Sequence, residues 1–151
     1  MTPFRNRGFT MTELVAVLII VAILAVSAAS VIGRRGFDTA SFADQARVQI
    51  AYAQKVAVAA RRSVTVTVAA NAISLTMCAD ATCATTVPVP SPQGEPTFVR
   101  TAPTGVTVGP DTAFTFRPLG DTNLASTLML SVNGDGARTI TIEATTGYVH
   151  E

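Results

Sequence analysis

The chain has 151 residues, 48% of them hydrophobic and only 14% charged, with a formal net charge of +1. This balance fits one domain plus an apolar appendage and excludes a nucleic-acid binder that relies on bulk charge. Two cysteines and a single histidine, His150, are too few soft ligands for a structural zinc site and leave no evident base for a nucleophilic triad.

The N-terminal stretch opens with Arg5 and Arg7 and then turns apolar: the twenty residues from Leu14 to Gly33 carry no charge. A helix of that length covers about 30 Å, the thickness of a bilayer's hydrocarbon core. The basic leader should stay cytoplasmic while the rest of the chain is exported, although Arg34 and Arg35 on the far side weaken the contrast. The expected location is therefore the inner membrane, single-pass, with a periplasmic C-terminal domain. A secretory signal cut near the small residues Ala25–Ala29 is the alternative. Against it stands the order of residues before the apolar run, with Gly8, then Phe9, then Glu13 at its threshold.

The stretch GFTMTELVAVLIIVAILA resembles the class III leader and N-terminal helix of type IV prepilins and of type II secretion pseudopilins. The resemblance implies that residues 1–8 are a leader, that prepilin peptidase cuts after Gly8, that Phe9 is then N-methylated, and that residues 9–33 form a transmembrane and assembly helix. Physical chemistry supports the same reading. An acid within a membrane helix costs about 2.5–3.5 kcal/mol on insertion scales, so Glu13 needs a partner. Cleavage after Gly8 would free the amine of Phe9, four residues and about one helical turn from Glu13. The carboxylate could meet that amine within the chain or on a neighbouring subunit, where the pair would set axial register; the family implies the second. The plainer alternative is a solvated helix-start acid favoured by the helix dipole. Major pilins often carry a proline in the later half of this helix, whereas this chain has none between Pro3 and Pro88, a departure that points to a minor subunit.

Residues 34–62 read as the periplasmic half of the same helix, because Phe42, Ala46, Ile50, Ala53 and Ala57 recur at spacings of three to four. Gly33 and Gly36 predict a bend or short break beside Arg34 and Arg35. From Ser63 the pattern becomes period-two and β-branched, in SVTVTV, AISLTM, AFTFR, TLMLSV and RTITIEA. Residues 63–151 should thus form an antiparallel β domain of about five to seven strands. Asn71 separates the first pair, and Asn133-Gly134-Asp135-Gly136 predicts a hairpin turn; it lacks the downstream acid of an EF-hand. The proline-rich stretch 87–105 cannot be central strand and reads as a long surface loop, either a contact surface or a solvated spacer. Cys78 and Cys83 should form a local disulfide in an exported chain, since C-x4-C is not the redox spacing C-x-x-C.

GFDTASFADQARVQIAYAQKVAVA, PTGVTVGP, FTFRPLGD and TIEATTGYVH are similar to the minor pilins of the mannose-sensitive haemagglutinin (MSHA) pilus, the MSHA pilin protein C group, and more loosely to the pseudopilin H and FimT-like group. The resemblance implies an α+β pilin fold, a long N-terminal helix with its second half packed on an antiparallel sheet. It further implies a non-catalytic subunit without cofactor, whose partners are prepilin peptidase, the inner membrane before assembly, and other pilins through helix packing. A type II secretion pseudopilin is the rival reading. DNA binding, as in FimT-like minor pilins, needs clustered cations. Arg100, Arg117 and Arg138 are instead interleaved with Glu95, Asp111, Asp121, Asp135 and Glu143, so no nucleic acid is expected. A membrane-anchored enzyme has the least support, since GxSxG, HExxH and phosphate-binding glycine motifs are missing from the sequence.

Overall fold

The computed structural model describes residues 10–31, 34–80 and 82–151, with side-chain surroundings given outside residues 26–36. The chain divides into two compact units, Met1–Arg34 and Arg35–Glu151. In the first, α1 runs from Met11 to Val31. It is proline-free, rich in Leu, Ala, Val and Ile, and apolar on every side rather than along one stripe.

In the second unit, α2 spans Arg34–Ala60. It includes Gly36, which is helical, while Gly33, the other glycine flanking the expected bend or break, lies outside the described residues. The buried face of α2 follows the predicted spacing, with Phe42, Ala43, Ala46, Ile50, Ala53 and Ala57 all in the core. Four alanines on that face keep it flat enough for strands to approach closely. The helix stops at Arg61, whose φ of 52° is left-handed, and Arg62 N–H donates back to the Ala57 carbonyl at 3.1 Å. This is the Schellman closure, with arginine where glycine is usual.

Nine strands follow rather than five to seven: β1 Val64–Ala69, β2 Ala72–Cys78, β3 Thr86–Pro88, β4 Val99–Thr101, β5 Thr107–Gly109, β6 Thr112–Phe116, β7 Leu128–Asn133, β8 Ala137–Ile142 and β9 Val149–His150. They form two antiparallel sheets. The first has the order β3-β2-β1-β6 with β4 also on β2, and the second has the order β5-β7-β8-β9. The five strands with clear alternation are β1, β2, β6, β7 and β8; the other four are two or three residues long, too short to show a period.

Alternation decides what each long strand buries. Val64, Val66 and Val68 of β1 point into the core with Ile73 and Leu75 of β2 and Phe114 and Phe116 of β6. Leu130, Val132, Ile140 and Ile142 do the same in the second sheet. These residues and the apolar face of α2 make one cluster. Two hairpins are set by local chemistry. Ala70 and Asn71, both at positive φ, join β1 to β2 with Ala69 paired to Ala72. The predicted NGDG turn joins β7 to β8, with Gly134 N–H donating to the Gly136 carbonyl at 2.9 Å.

The proline-rich stretch is corrected in part. Residues 92–97 are its longest continuously exposed run, as a surface loop requires. On either side the chain is stitched to the free edge of β2, by β3 at Thr76–Cys78 and by β4 at Ala72–Ser74. Val89, Ser91 and Phe98 are buried between them. Pro88 is tolerated because β3 pairs on one side only.

Candidate functional site

The residues expected to matter for processing sit at the start of α1. Gly8 and Phe9 lie outside the described residues. Glu13 occupies the first turn, where it closes a capping box with Thr10. Glu13 N–H donates to Thr10 Oγ1 at 3.3 Å, and Thr10 N–H and Oγ1 donate to Glu13 Oε2 at 3.4 Å each. The acid therefore serves the helix end, and among the described residues it pairs with no cation. The capping box was visible as Thr10-x-x-Glu13, a signal that reading Glu13 for its charge alone passed over.

Beyond Glu13, every described side chain of α1 is exposed, with Leu14, Leu18, Ile19, Ile20, Ile23 and Leu24 each more than half accessible. So large an apolar surface is stable only when lipid or protein covers it. Side chains are described to Ala25, a stretch of fifteen residues from Met11, and among the described residues no helix is long and apolar enough to cross a membrane. The membrane reading rests on the uncharged composition of residues 14–33.

The second expected site is a closed staple. Cys78 and Cys83 are disulfide-bonded, with Cα atoms 4.7 Å apart. The loop between them is organised by Asp80, which the sequence reading had not singled out. Its Oδ1 accepts from Thr82 N–H and Oγ1 at 2.9 and 2.7 Å and from Ala84 N–H at 3.1 Å. Its Oδ2 accepts from Thr85 N–H and Oγ1 at 3.2 and 3.0 Å. These bonds, led by that from the Thr82 side chain, hold the Asp80 carboxyl well below the usual carboxylate range. An aspartate two residues before a threonine is an Asx-turn signal, so this role was readable.

Two glutamines of α2 were not foreseeable, because their partners are distant in sequence. Gln49, fully buried, donates from Nε2 to the carbonyls of Ile73 at 3.1 Å and Phe98 at 2.9 Å. Gln54 Nε2 donates to Gly120 O at 2.8 Å and Thr146 O at 2.9 Å, clasping the C-terminal loop to the helix. Gly147 is required there: a Cβ on it would lie 2.2 Å from the Gly120 carbonyl oxygen, and its φ is +65°.

Two of the three strand-region arginines are paired with carboxylates. Arg117 pairs with Asp121 at 3.0 Å, Arg138 with Glu151 at 2.7 Å, and Arg100 lies over the Phe98 ring. His150 faces Glu143 at 3.4 Å and stacks on Tyr148. Among the described residues, no group of three or more His, Cys, Asp or Glu is placed to hold a metal.

Residues 3–29 match the model of the prokaryotic N-terminal methylation motif. In fold the chain is similar to the type IV minor pilin FimU of Pseudomonas aeruginosa, in two crystal forms. The first superposes with a TM-score of 0.55 at 17% identity over 73% of this chain and 84% of that one. The second gives 0.54 at 18% identity, over 73% and 89%. At such identity the likeness establishes the fold. No curated protein matches the chain. The protein thus carries a prepilin-type methylation motif ahead of a pilin-like α+β domain. The motif implies processing by prepilin peptidase, anchoring in a membrane, and then assembly with other pilins.

Proposed function

We propose that this protein is a non-catalytic minor subunit of an MSHA-like type IV pilus. In this reading it is inserted once in the inner membrane, with the C-terminal domain in the periplasm. Prepilin peptidase cuts after Gly8, Phe9 is methylated, and the subunit enters the fibre at or near its initiating tip. The observation that carries the reading is a methylation motif laid over an apolar helix whose described side chains are all exposed. Lipid before assembly and neighbouring helices afterwards would cover such a rod. Once processed, Thr10 is the second residue of the mature chain, and Glu13 is free to exchange its cap for the new amine of a neighbour. The absence of proline from residues 4–87 and the body's resemblance to the MSHA group support a minor subunit. Neutralisation of Arg117 and Arg138 by carboxylates weighs against DNA capture.

N-terminal sequencing of protein co-expressed with prepilin peptidase is the test. Methylated Phe9 as the first residue is the expected outcome. A chain still starting at Met1, or trimmed beyond Ala25, would overturn it. Immunogold labelling of sheared MSHA pili then separates the pilus reading from a secretion pseudopilin, which would be absent from those fibres.

A further inference from the structure

The exposed side of α2 and the stitched proline-rich segment enclose a groove of about 310 Å³. Its helical wall is Asp44, Val48, Tyr52 and Lys55, spaced four, four and three residues apart and so on one face. The twelve residues from Asp44 to Lys55 make this wall roughly 16 Å long, the length of about five extended residues. The opposite wall carries Phe98 and Arg100. Tyr52 and Phe98 meet edge to face at 5.6 Å and give the groove an aromatic floor.

The groove is preformed. Tyr52 O–H donates to the Pro90 carbonyl at 3.4 Å, and the turn from Ser91 to Glu95 is closed by Ser91 N–H to Glu95 O at 2.9 Å and Glu95 N–H to Ser91 Oγ at 3.2 Å. Its charges are unsettled. Arg100 lies with Cζ 5.5 Å from the Phe98 centroid, and its Nε is buried with no hydrogen-bond partner. Among the described residues neither Arg100 nor Lys55 pairs with a carboxylate, although Asp44 lines the same groove. Two cations against one acid leave net positive charge around an apolar floor. Arg100 itself is only partly buried and lines the groove, so an anion there could accept a charge-assisted hydrogen bond from its guanidinium.

We propose that this groove binds a peptide segment of a partner protein that presents a bulky apolar side chain beside a carboxylate. The apolar side chain rests on Tyr52 and Phe98, and the carboxylate accepts from Arg100, with Lys55 adding attraction along the wall. A nucleotide would also offer a ring and an anion, but Asp44 repels a polyphosphate backbone more than a single carboxylate. The inference concerns the Arg35–Glu151 unit and stands apart from processing at Gly8.

The test titrates full-length protein in detergent micelles with capped Gly-Phe-Asp-Gly, following the Tyr52 and Phe98 ring signals by NMR. Saturable shifts of both rings are expected, with the Asn-containing peptide and the Arg100→Gln variant each binding about tenfold more weakly. Asp44→Asn should bind more tightly. Val48→Asp, at a position 58% exposed, should block binding while leaving the unfolding midpoint unchanged. Three results would each overturn the proposal: no saturable shift at those rings, equal binding of the Asp and Asn peptides, or tighter binding of a thymidine dinucleotide phosphate.

Discussion

Residues 11–25 and 37–60 are both helical, yet one helix exposes all its described side chains and the other buries a complete face. In α1 Leu14, Ile19 and Ile23 stay open on a surface that is apolar all round. In α2 Phe42, Ile50 and Ala57 are closed off by strands of the same chain. Helix propensity does not separate the two, since both are rich in good formers. What differs is the source of the cover: α2 finds its own in the two sheets, and α1 must obtain it from lipid or other subunits. An element satisfied within its chain is a matter of stability, and one satisfied outside it is a matter of assembly.

This contrast can be broken most severely at the N-terminus. Gly8→Ala should abolish leader removal, leaving the full-length mass in a co-expression assay, while urea unfolding of the C-terminal domain stays unchanged. Next in size is a matched pair of truncations. Ile50→Ala should lower domain stability by about 3–5 kcal/mol, as buried large-to-small changes do. Ile20→Ala, on the exposed rod, should leave domain stability within about 0.5 kcal/mol and reduce only incorporation into fibres. Equal losses of stability in the two variants would dissolve the distinction drawn here.

Smaller effects sharpen it within the domain. Gln49→Leu removes both hydrogen bonds to the Ile73 and Phe98 carbonyls. It should cost about 1–3 kcal/mol by leaving buried carbonyls unpaired, measurable by urea denaturation. Asp80→Asn should act through pH. The native carboxyl titrates below its unfolded value, so its contribution is present at neutral pH and is lost as pH falls below about 4. The gap in unfolding midpoint between wild type and Asp80→Asn is therefore largest near neutrality and closes on acidification. A gap that does not change with pH would remove Asp80 from the staple's organisation.

Legibility in the sequence followed the range of the interactions. β1, β2, β6, β7 and β8 were readable because five or more residues carry a period of two, and the buried face of α2 was readable at spacings of three to four. The Asn133–Gly136 turn and the C-x4-C staple were also local patterns. Thr10 and Asp80 were equally local, and were missed because Glu13 was read for charge and the cysteines for their sulfur alone. β3 and β4 could not be read, since a three-residue strand has no period and exists only because β2 offers a free edge.

The sequence by itself determined the methylation motif, the uncharged run after Glu13, the α+β order and the faces that each long element buries. Those properties depend on neighbours a few residues apart, where backbone geometry fixes which side chains share a side. Tertiary structure alone decided that the strands divide into two sheets, that the proline-rich stretch is stitched to β2, that Gln49 and Gln54 hold the helix to carbonyls up to 92 residues away, and that Arg100 ends over Phe98 beside a groove. Such contacts form only when the whole domain closes, because a hydrogen bond or ring contact is specified by distance in space, which local patterning does not encode.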